Sequence, residues 1–357
     1  MFLYIFLSIT KKTLQVQHSL NQPLMHLLIS KTPLRLSLGG GGTDLPHFYK
    51  KHGSHLVTTA IQKYVYVFAK RWFENGIRVS YSKTELVSSV EEIQHPIVRQ
   101  VLTMLGPRNQ IEIVSMADLP ARSGMGTSAS FTVGLLNAIH AINRTAPDRQ
   151  TLAEMAFKIQ SEILNEAGGK QDQYAAAFGG IMSLDIDRNG QVTARELSIK
   201  DEVIEELENS LMCFYSGIQR ESSKIQKGVV NRSATNSSSG PNVDEILLKT
   251  KSISFDVQRA LERGNVNELG PLLHIHWLAK RSLSKSISNS VIDAFYEKGL
   301  KAGASGGKVI GAGGGGFFIF CCENGKKNGL RKELVRVGLK EVKLRFDFQG
   351  SRVVANI

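Results

Sequence analysis

The sequence predicts an α+β fold in two parts, divided near residue 195, and three of its features carry that prediction. Apolar and polar residues alternate across residues 55–81, a period of two that belongs to half-buried antiparallel strands. Helical periodicity recurs in long blocks at 243–263, 266–280 and 288–301. Glycine clusters at 39–42, 124–126 and 311–316 stand near strand ends, where a turn that approaches a ligand needs residues free to take positive φ. A chain of 357 residues is long enough for two domains with real cores.

Taken in order, Leu27–Leu38 reads as a strand that runs into Gly39-Gly40-Gly41-Gly42 and then Thr43-Asp44. Residues 91–105 are helical in period and Ile111–Ser115 is a short strand. Asp118–Ser130 is a glycine-containing loop that opens an apolar-periodic helix, with Thr127 and Ser128 near its N-terminus. An amphipathic helix follows over 151–166, and another opens at Gln171 after Gly168-Gly169. Residues 180–198 read as a hairpin around Asp187-Arg188-Asn189-Gly190. The second part starts with a helix at 201–209, a strand at Leu211–Tyr215 and a polar loop at 231–242. After the three long helices, strands at Lys308–Gly311 and Phe317–Cys322 flank a glycine run. A helix at 327–337 and strands at 341–348 and 351–356 close the chain. No internal repeat recurs at a fixed period.

Hydrophobic residues at 42% and charged residues at 21% exclude disordered and membrane classes, and no stretch is long enough for a transmembrane helix. The net charge is +12, but the basic residues are dispersed, without the stripe or arm of a nucleic-acid binder. Anionic small molecules fit that charge better. Cys213, Cys321 and Cys322 have no zinc-type spacing and are expected as buried reduced thiols, which favours a cytoplasmic setting. The apolar start MFLYIFLSIT lacks a preceding basic region and a cleavage site, so it is not read as a signal peptide. Residues 1–24 are expected to be an upstream extension that is not native, with Met25 the alternative start.

Gly124–Ala129 satisfies G-x-G-x-x-A, but Ala117–Ser123 separates it from the preceding strand, too far for a dinucleotide turn. Its phosphate logic survives: glycines expose backbone N–H groups, and the helix that follows carries about half a positive charge at its start. Gly311–Gly316 also matches G-x-G-x-x-G, yet strand rather than helix follows, and neither cluster is a Walker A loop. Asp185–Glu196 satisfies the calcium-loop expression in full, although a strand, not the required helix, enters it.

Phosphoryl transfer needs a phosphate cradle, a metal held by a hydroxyl and a carboxylate, a cation on the transferred charge, and a group that orients the nucleophile. Residue types for all four lie among the glycine loops. At this point the chain resembles the GHMP kinases, through Thr32–Pro46, Asp118–Ser130 and Gly306–Phe320, three ordered motifs that span it from about Met25 onward. Gly168–Gly180 and His276–Ser288 look most like the members that act on heptose 7-phosphates.

The resemblance implies a two-domain GHMP kinase fold: an N-terminal α/β domain over 25–195 and a C-terminal ferredoxin-like domain over 196–357, with the active site between them. It implies ATP and Mg²⁺ as cofactors and a phosphorylated sugar as substrate. Arg122, Ser123, Gly124, Met125, Gly126, Thr127 and Ser128 would wrap the ATP phosphates, and Ser128 with Glu162 would hold Mg²⁺. Asp172 matches the catalytic aspartate and Arg35 the basic residue beside it. Gly41, Gly42, Thr43, Asp44, Lys170, Gly313 and Gly314 would surround the sugar; Lys170, Lys280, Arg281 and Lys285 are candidates for its distal phosphate. The loop departs from the common Gly-Ser-Gly-Leu-Gly-Ser-Ser at Arg122, Met125 and Thr127, changes conservative in role.

Plainer readings stand beside these. Arg35 would be a structural ion pair, Glu162 an exposed helix charge and Asp172 a helix N-cap. His274, His276 and Trp277 are expected to pack or to contact sugar, without a third metal ligand. A kinase for a neutral sugar such as fucose or galactose is the nearest alternative activity, and a non-catalytic binding module the alternative of another class. The sequence fixes no oligomeric state.

Overall fold

The computed structural model describes residues 27–219, 222–235 and 242–357, so the expected extension at 1–24 lies outside the described residues. The chain opens on a strand of 13 residues, β1 (Leu27–Gly39), whose second half is buried on both faces. A short helix follows, α1 (Pro46–His52), which sequence reasoning missed. Pro46 presets its first turn, and Gly53 at φ +62 ends it.

β2 (Ser54–Arg71), 18 residues long, organises the first sheet. Its first half pairs with β6 (Ile181–Ile186), its second half with β5 (Ile111–Ala117), and its other edge with β1, all antiparallel. β3 (Ile77–Ser80) joins β5 in parallel and β4 (Thr84–Val87) lies outside it. β7 (Val192–Glu196) pairs with β6. The eighth strand is β12 (Arg352–Asn356), the last of the chain, which returns to pair with β1.

The helices of this layer are α2 (Pro96–Leu105), α3 (Thr127–Ile142), α4 (Arg149–Phe157) and α5 (Gln171–Phe178). α2 begins five residues later than its period suggested, because Pro96 forces His95 into extended backbone. α4 stops short of 166 and passes into a π-helical turn, Lys158–Ile163. α3 lies on β1 and β2, closely enough that a Cβ on Gly134 would come within 2.7 Å of Thr32 Oγ1. Ser30 Oγ donates to Gly134 O at 2.8 Å in that contact.

The second sheet contains β8 (Leu211–Tyr215), β9 (Gly306–Val309), β10 (Phe317–Cys321) and β11 (Lys340–Val342), in the order β11-β8-β10-β9. Its helices are α6 (Asp201–Ser210), α7 (Ser222–Thr235), α8 (Val243–Glu262), α9 (Leu269–Leu283), α10 (Ser290–Lys301) and α11 (Lys327–Arg336). The antiparallel order and the connection of strand, helices, two strands, helix and strand are those of a ferredoxin-like sheet. α7 takes in the first residues of the polar loop expected at 231–242. The strand expected at 341–348 stops at Val342; beyond it only Phe346 bridges to Ile61, and Asp347 Oδ1 accepts from Gln349 and Gly350 N–H to turn the chain into β12.

α8 ties the halves together. It lies against β1 and β2, where His55 Nδ1 meets Ser254 Oγ at 2.8 Å, and a Cβ on Gly39 would stand 2.9 Å from Ser254 Cα. Among the described residues no helix is long and apolar enough to cross a membrane.

Candidate active site

A cleft of about 430 Å³ opens where the two sheets meet, lined from β1, the loop before α3, the π-helical turn, the start of α5, α9 and β9. At its floor Arg35 grips Asp172 with two parallel bonds, Nε to Oδ1 at 2.7 Å and Nη2 to Oδ2 at 2.8 Å. The remaining Nη1 donates to Gly124 O at 2.6 Å. A planar fork spread in this way fixes the carboxylate and the glycine loop relative to each other. Asp172 lies in the first turn of α5, and the N-cap is Lys170, so the carboxylate serves Arg35 rather than the helix.

The loop before α3 turns through three residues at positive φ. Arg122 sits at φ +60, Gly124 at φ +90 and Gly126, the N-cap of α3, at φ +78. Only glycine suits position 126: an added Cβ would stand 3.1 Å from Arg35 Cγ and 3.4 Å from Asp172 Oδ2. Arg122, Gly124, Gly126, Thr127 and Ser128 line the cleft. Met125 is buried beneath it, its carbonyl accepting from Arg35 N–H at 3.1 Å. Ser123 is buried against the third glycine cluster, where a Cβ on Gly316 would fall 2.1 Å from Ser123 O.

Of the residues expected around a sugar, Gly41, Gly42 and Asp44 line the cleft. Asp44 accepts from Gln171 N–H at 3.0 Å and Gly42 N–H at 3.2 Å. Burial pushes its carboxyl above the ordinary range, against those two bonds. Thr43 turns inward to Gly40 O and Ser54 Oγ and braces the loop. Gly313 and Gly314 pack on Ile287 and do not line the cleft, whereas Gly311 and Ala312 do. Lys170 stands outside as well. Its Nζ donates to both Glu154 oxygens at 2.7 Å and to Gly190 O at 2.7 Å, and the side chain is buried.

Glu162 is exposed on the π-helical turn and is not part of the lining. Glu166 lines the cleft instead, half-buried, with burial raising its carboxyl, and Gln160 Nε2 spans Ser128 Oγ (2.9 Å) and Glu166 Oε2 (3.4 Å). The helix expected to 166 ends in the π turn at Ile163, so Glu162 lies on that turn and Glu166 on the irregular backbone beyond it.

Sequence reasoning also missed Ser37, Gln171 and Lys308, and left His276 undecided between packing and sugar contact. Ser37 Oγ, Thr127 Oγ1, Ser161 Oγ, Gln171 Nε2 and His276 Nε2 are buried polar atoms of the lining without a hydrogen-bond partner among the described residues. Native interiors seldom tolerate such a concentration, so these atoms mark where a polar ligand belongs. Lys280 lines the cleft; Arg281 pairs with Asp293 at 3.4 Å, and neither it nor Lys285 does. The only signal for Lys308 was its place in the strand leading into the third glycine cluster.

The Asp185–Glu196 segment is a hairpin entered from β6. Asp187 Oδ1 accepts from Asn189 and Gln191 N–H at 2.8 Å, and Asp185 pairs with Arg195 at 2.6 Å. Among the described residues no group of three or more His, Cys, Asp or Glu side chains could hold a metal ion.

Both halves of the chain match GHMP kinase domains, "GHMP kinases N terminal domain" over residues 91–180 and "GHMP kinases C terminal" over residues 257–338, in line with a cleft that sets a helix-opening glycine loop beside an arginine-clamped aspartate. Among individual relatives, the D-glycero-alpha-D-manno-heptose 7-phosphate kinase of Campylobacter jejuni is 28% identical over 87% of this chain and 94% of its own. The L-fucokinase/L-fucose-1-P guanylyltransferase of Bacteroides fragilis is 25% identical over 82% of this chain but 34% of its own length. A crystal structure of a D-glycero-D-manno-heptose 1-phosphate kinase from Bacteriodes thetaiotaomicron has the same fold, with a TM-score of 0.74, 24% identity, and coverage of 91% of this chain and 98% of that one.

Proposed function

We propose that the protein transfers the terminal phosphoryl group of ATP to the anomeric hydroxyl of a phosphorylated sugar, D-glycero-α-D-manno-heptose 7-phosphate, to give the 1,7-bisphosphate. The observation that carries this reading is the doubly bonded Arg35–Asp172 pair beside the loop that opens α3. The Campylobacter jejuni relative, which matches 87% of this chain and 94% of its own, bears that substrate in its name.

In this reading the backbone from Arg122 to Ser128 wraps the ATP phosphates, aided by the partial positive charge at the start of α3. Asp172 orients the acceptor hydroxyl and takes its proton as the oxygen attacks the terminal phosphorus and the bond to ADP breaks. Arg35 holds that carboxylate in place, and its charge opposes the negative charge that builds on the transferred group. Asp44, with Ser37 and Gln171 beside Gly41, holds sugar hydroxyls; a Cβ on Gly41 would come 3.0 Å from Ser37 Oγ and 3.7 Å from Gln171 Oε1.

Mg²⁺ fits the oxygen donors on the N-terminal side of the cleft. Ser128 with Glu166, in place of Glu162, would hold it, and the ion would neutralise phosphate charge. A division of the chain at 195/196 goes with this reading, except that β12 crosses back to the first sheet, and so does a cytoplasmic setting, which the three buried free thiols support.

The test is turnover of a panel of sugars with and without a distal phosphate, at saturating MgATP. Preference for heptose 7-phosphate is expected. Preference for unphosphorylated fucose or galactose would replace the substrate assignment with the neutral-sugar activity that the fucokinase relative performs by name.

A further inference from the structure

We propose that Lys308 and His276 form an anion subsite on the second-domain wall of the cleft, and that it takes the phosphate of the sugar substrate that is not transferred. The inference rests on the sugar-phosphate reading above. Lys308 is on β9 and is 2% exposed; His276, on α9, is equally buried at 2%. Both line the cleft.

The Lys308 ammonium donates to Leu38 O at 3.2 Å and meets His276 Nδ1 at 3.1 Å. An ammonium has three N–H donors, so one is left without an acceptor. No described carboxylate pairs with it, and the charge that acts on it most is the cation Arg35. Accepting at Nδ1 makes Nε2 the proton-bearing nitrogen of His276, and Nε2 has no partner among the described residues. Lys280 stands nearby on the same wall, its Nζ tied to Val309 O and Gly311 O.

A buried cation without an anion is costly, and here burial pushes the Lys308 ammonium down to about 7 and the His276 imidazolium well below its usual range. A phosphate dianion would supply the missing countercharge and accept from both spare donors. A sugar hydroxyl would answer the hydrogen bonds and leave the charge uncompensated. The ATP phosphates already have their cradle at the start of α3, on elements of the other domain. The phosphate left for Lys308 and His276 is the one carried by the sugar.

The test uses the full chain and the variants Lys308→Met and Lys308→Arg. With MgADP saturating the loop before α3, inorganic phosphate is titrated and Tm followed. Phosphate at tenfold its Kd should raise the wild-type Tm by about 2 °C. It should act on Lys308→Arg and not on Lys308→Met, whose ligand-free Tm should exceed that of wild type because an uncompensated charge has gone. In turnover, Lys308→Met should raise KM for heptose 7-phosphate by about tenfold to a hundredfold, the worth of a charge-assisted hydrogen bond, and spare KM for MgATP. A ligand-free Tm below wild type would make Lys308 a structural residue and overturn the proposal. So would a loss confined to kcat or to KM for MgATP. A wild type that accepts only unphosphorylated sugars overturns the substrate reading and this assignment with it. A wild type that prefers the sugar phosphate, alongside a Lys308→Met KM that has not moved, overturns the subsite alone.

Discussion

Asp172→Asn tests the centre of the site with the least change of shape. The arginine fork donates Nε to Oδ1 at 2.7 Å and Nη2 to Oδ2 at 2.8 Å. Asparagine keeps one acceptor and turns its amide nitrogen towards a donor, so one of the two bonds becomes a donor–donor contact. Breaking a fully buried pair costs about 3–5 kcal/mol. Arg35 is 6% exposed at its side chain but Asp172 is 32%, so solvent relieves part of that, to about 1–3 kcal/mol. Loss of the proton acceptor removes about 10²–10⁴ in kcat. The assay is coupled ADP release, with nucleotide affinity from titration and Tm as the folding control. The expected result is a kcat reduced by at least a hundredfold, nucleotide Kd within a few-fold of wild type, and a folded protein. A kcat within tenfold of wild type would refute the catalytic reasoning, and a loss of nucleotide affinity as large as the loss of kcat would reduce Asp172 to a prop for the glycine loop.

Other expectations are narrower. Gly169→Ala would place a Cβ 2.0 Å from Asp44 Oδ2, so Asp44 must move; KM for the sugar should rise by at least about tenfold, and an unchanged KM would free Asp44 of any substrate role. The Lys308 ammonium is depressed from its ordinary 10.5 to about 7 by burial. The unfolded chain therefore binds the extra proton between those values, and stability rises with pH from about 7 to about 8.5 at up to about 1.4 kcal/mol per unit. Above that range the buried thiols of Cys213 and Cys321, and then tyrosines such as Tyr64, pushed up to about 12, hold protons that the unfolded chain releases and oppose the trend. Urea midpoints across about pH 7–8.5 should show the slope, and Lys308→Met should flatten it. Cys213 and Cys321 are buried, with burial raising both thiols, the second to about 12; neither should react with a thiol reagent at pH 8 until the chain is unfolded.

Much of this was legible because the three glycine motifs carry their own geometry. Positive φ at Gly124, Gly126 and Gly311 could be anticipated from composition, and Arg35 beside a glycine run was a visible anomaly in an apolar strand. What periodicity could not show was where the helix expected over 151–166 ends: it passes into the π turn at Lys158–Ile163, which leaves Glu162 exposed and puts Glu166 on the irregular backbone beyond, lining the cleft. Glu162 and Glu166 therefore exchanged places as candidates. Lys170 misled for a related reason: its position two residues before Asp172 places it near the site in sequence, but the helix start turns its side chain to Glu154 and the hairpin carbonyl of Gly190. Lys308 and His276 meet across 32 residues, a pairing that only the folded sheet and helix create. The calcium-like string, in turn, satisfied its expression by supplying the Asx turn of a hairpin.

The return of β12 to the edge of β1 has a consequence for how the molecule is made. The sheet that carries Arg35 has its outer rung supplied by Arg352–Asn356, so translation must pass those residues before that edge is covered. Until then β1 presents a row of unpaired amides and carbonyls to its surroundings, an opening for wrong partners. A chain halted anywhere before those residues would carry every side chain of the proposed transfer centre on a sheet left unfinished.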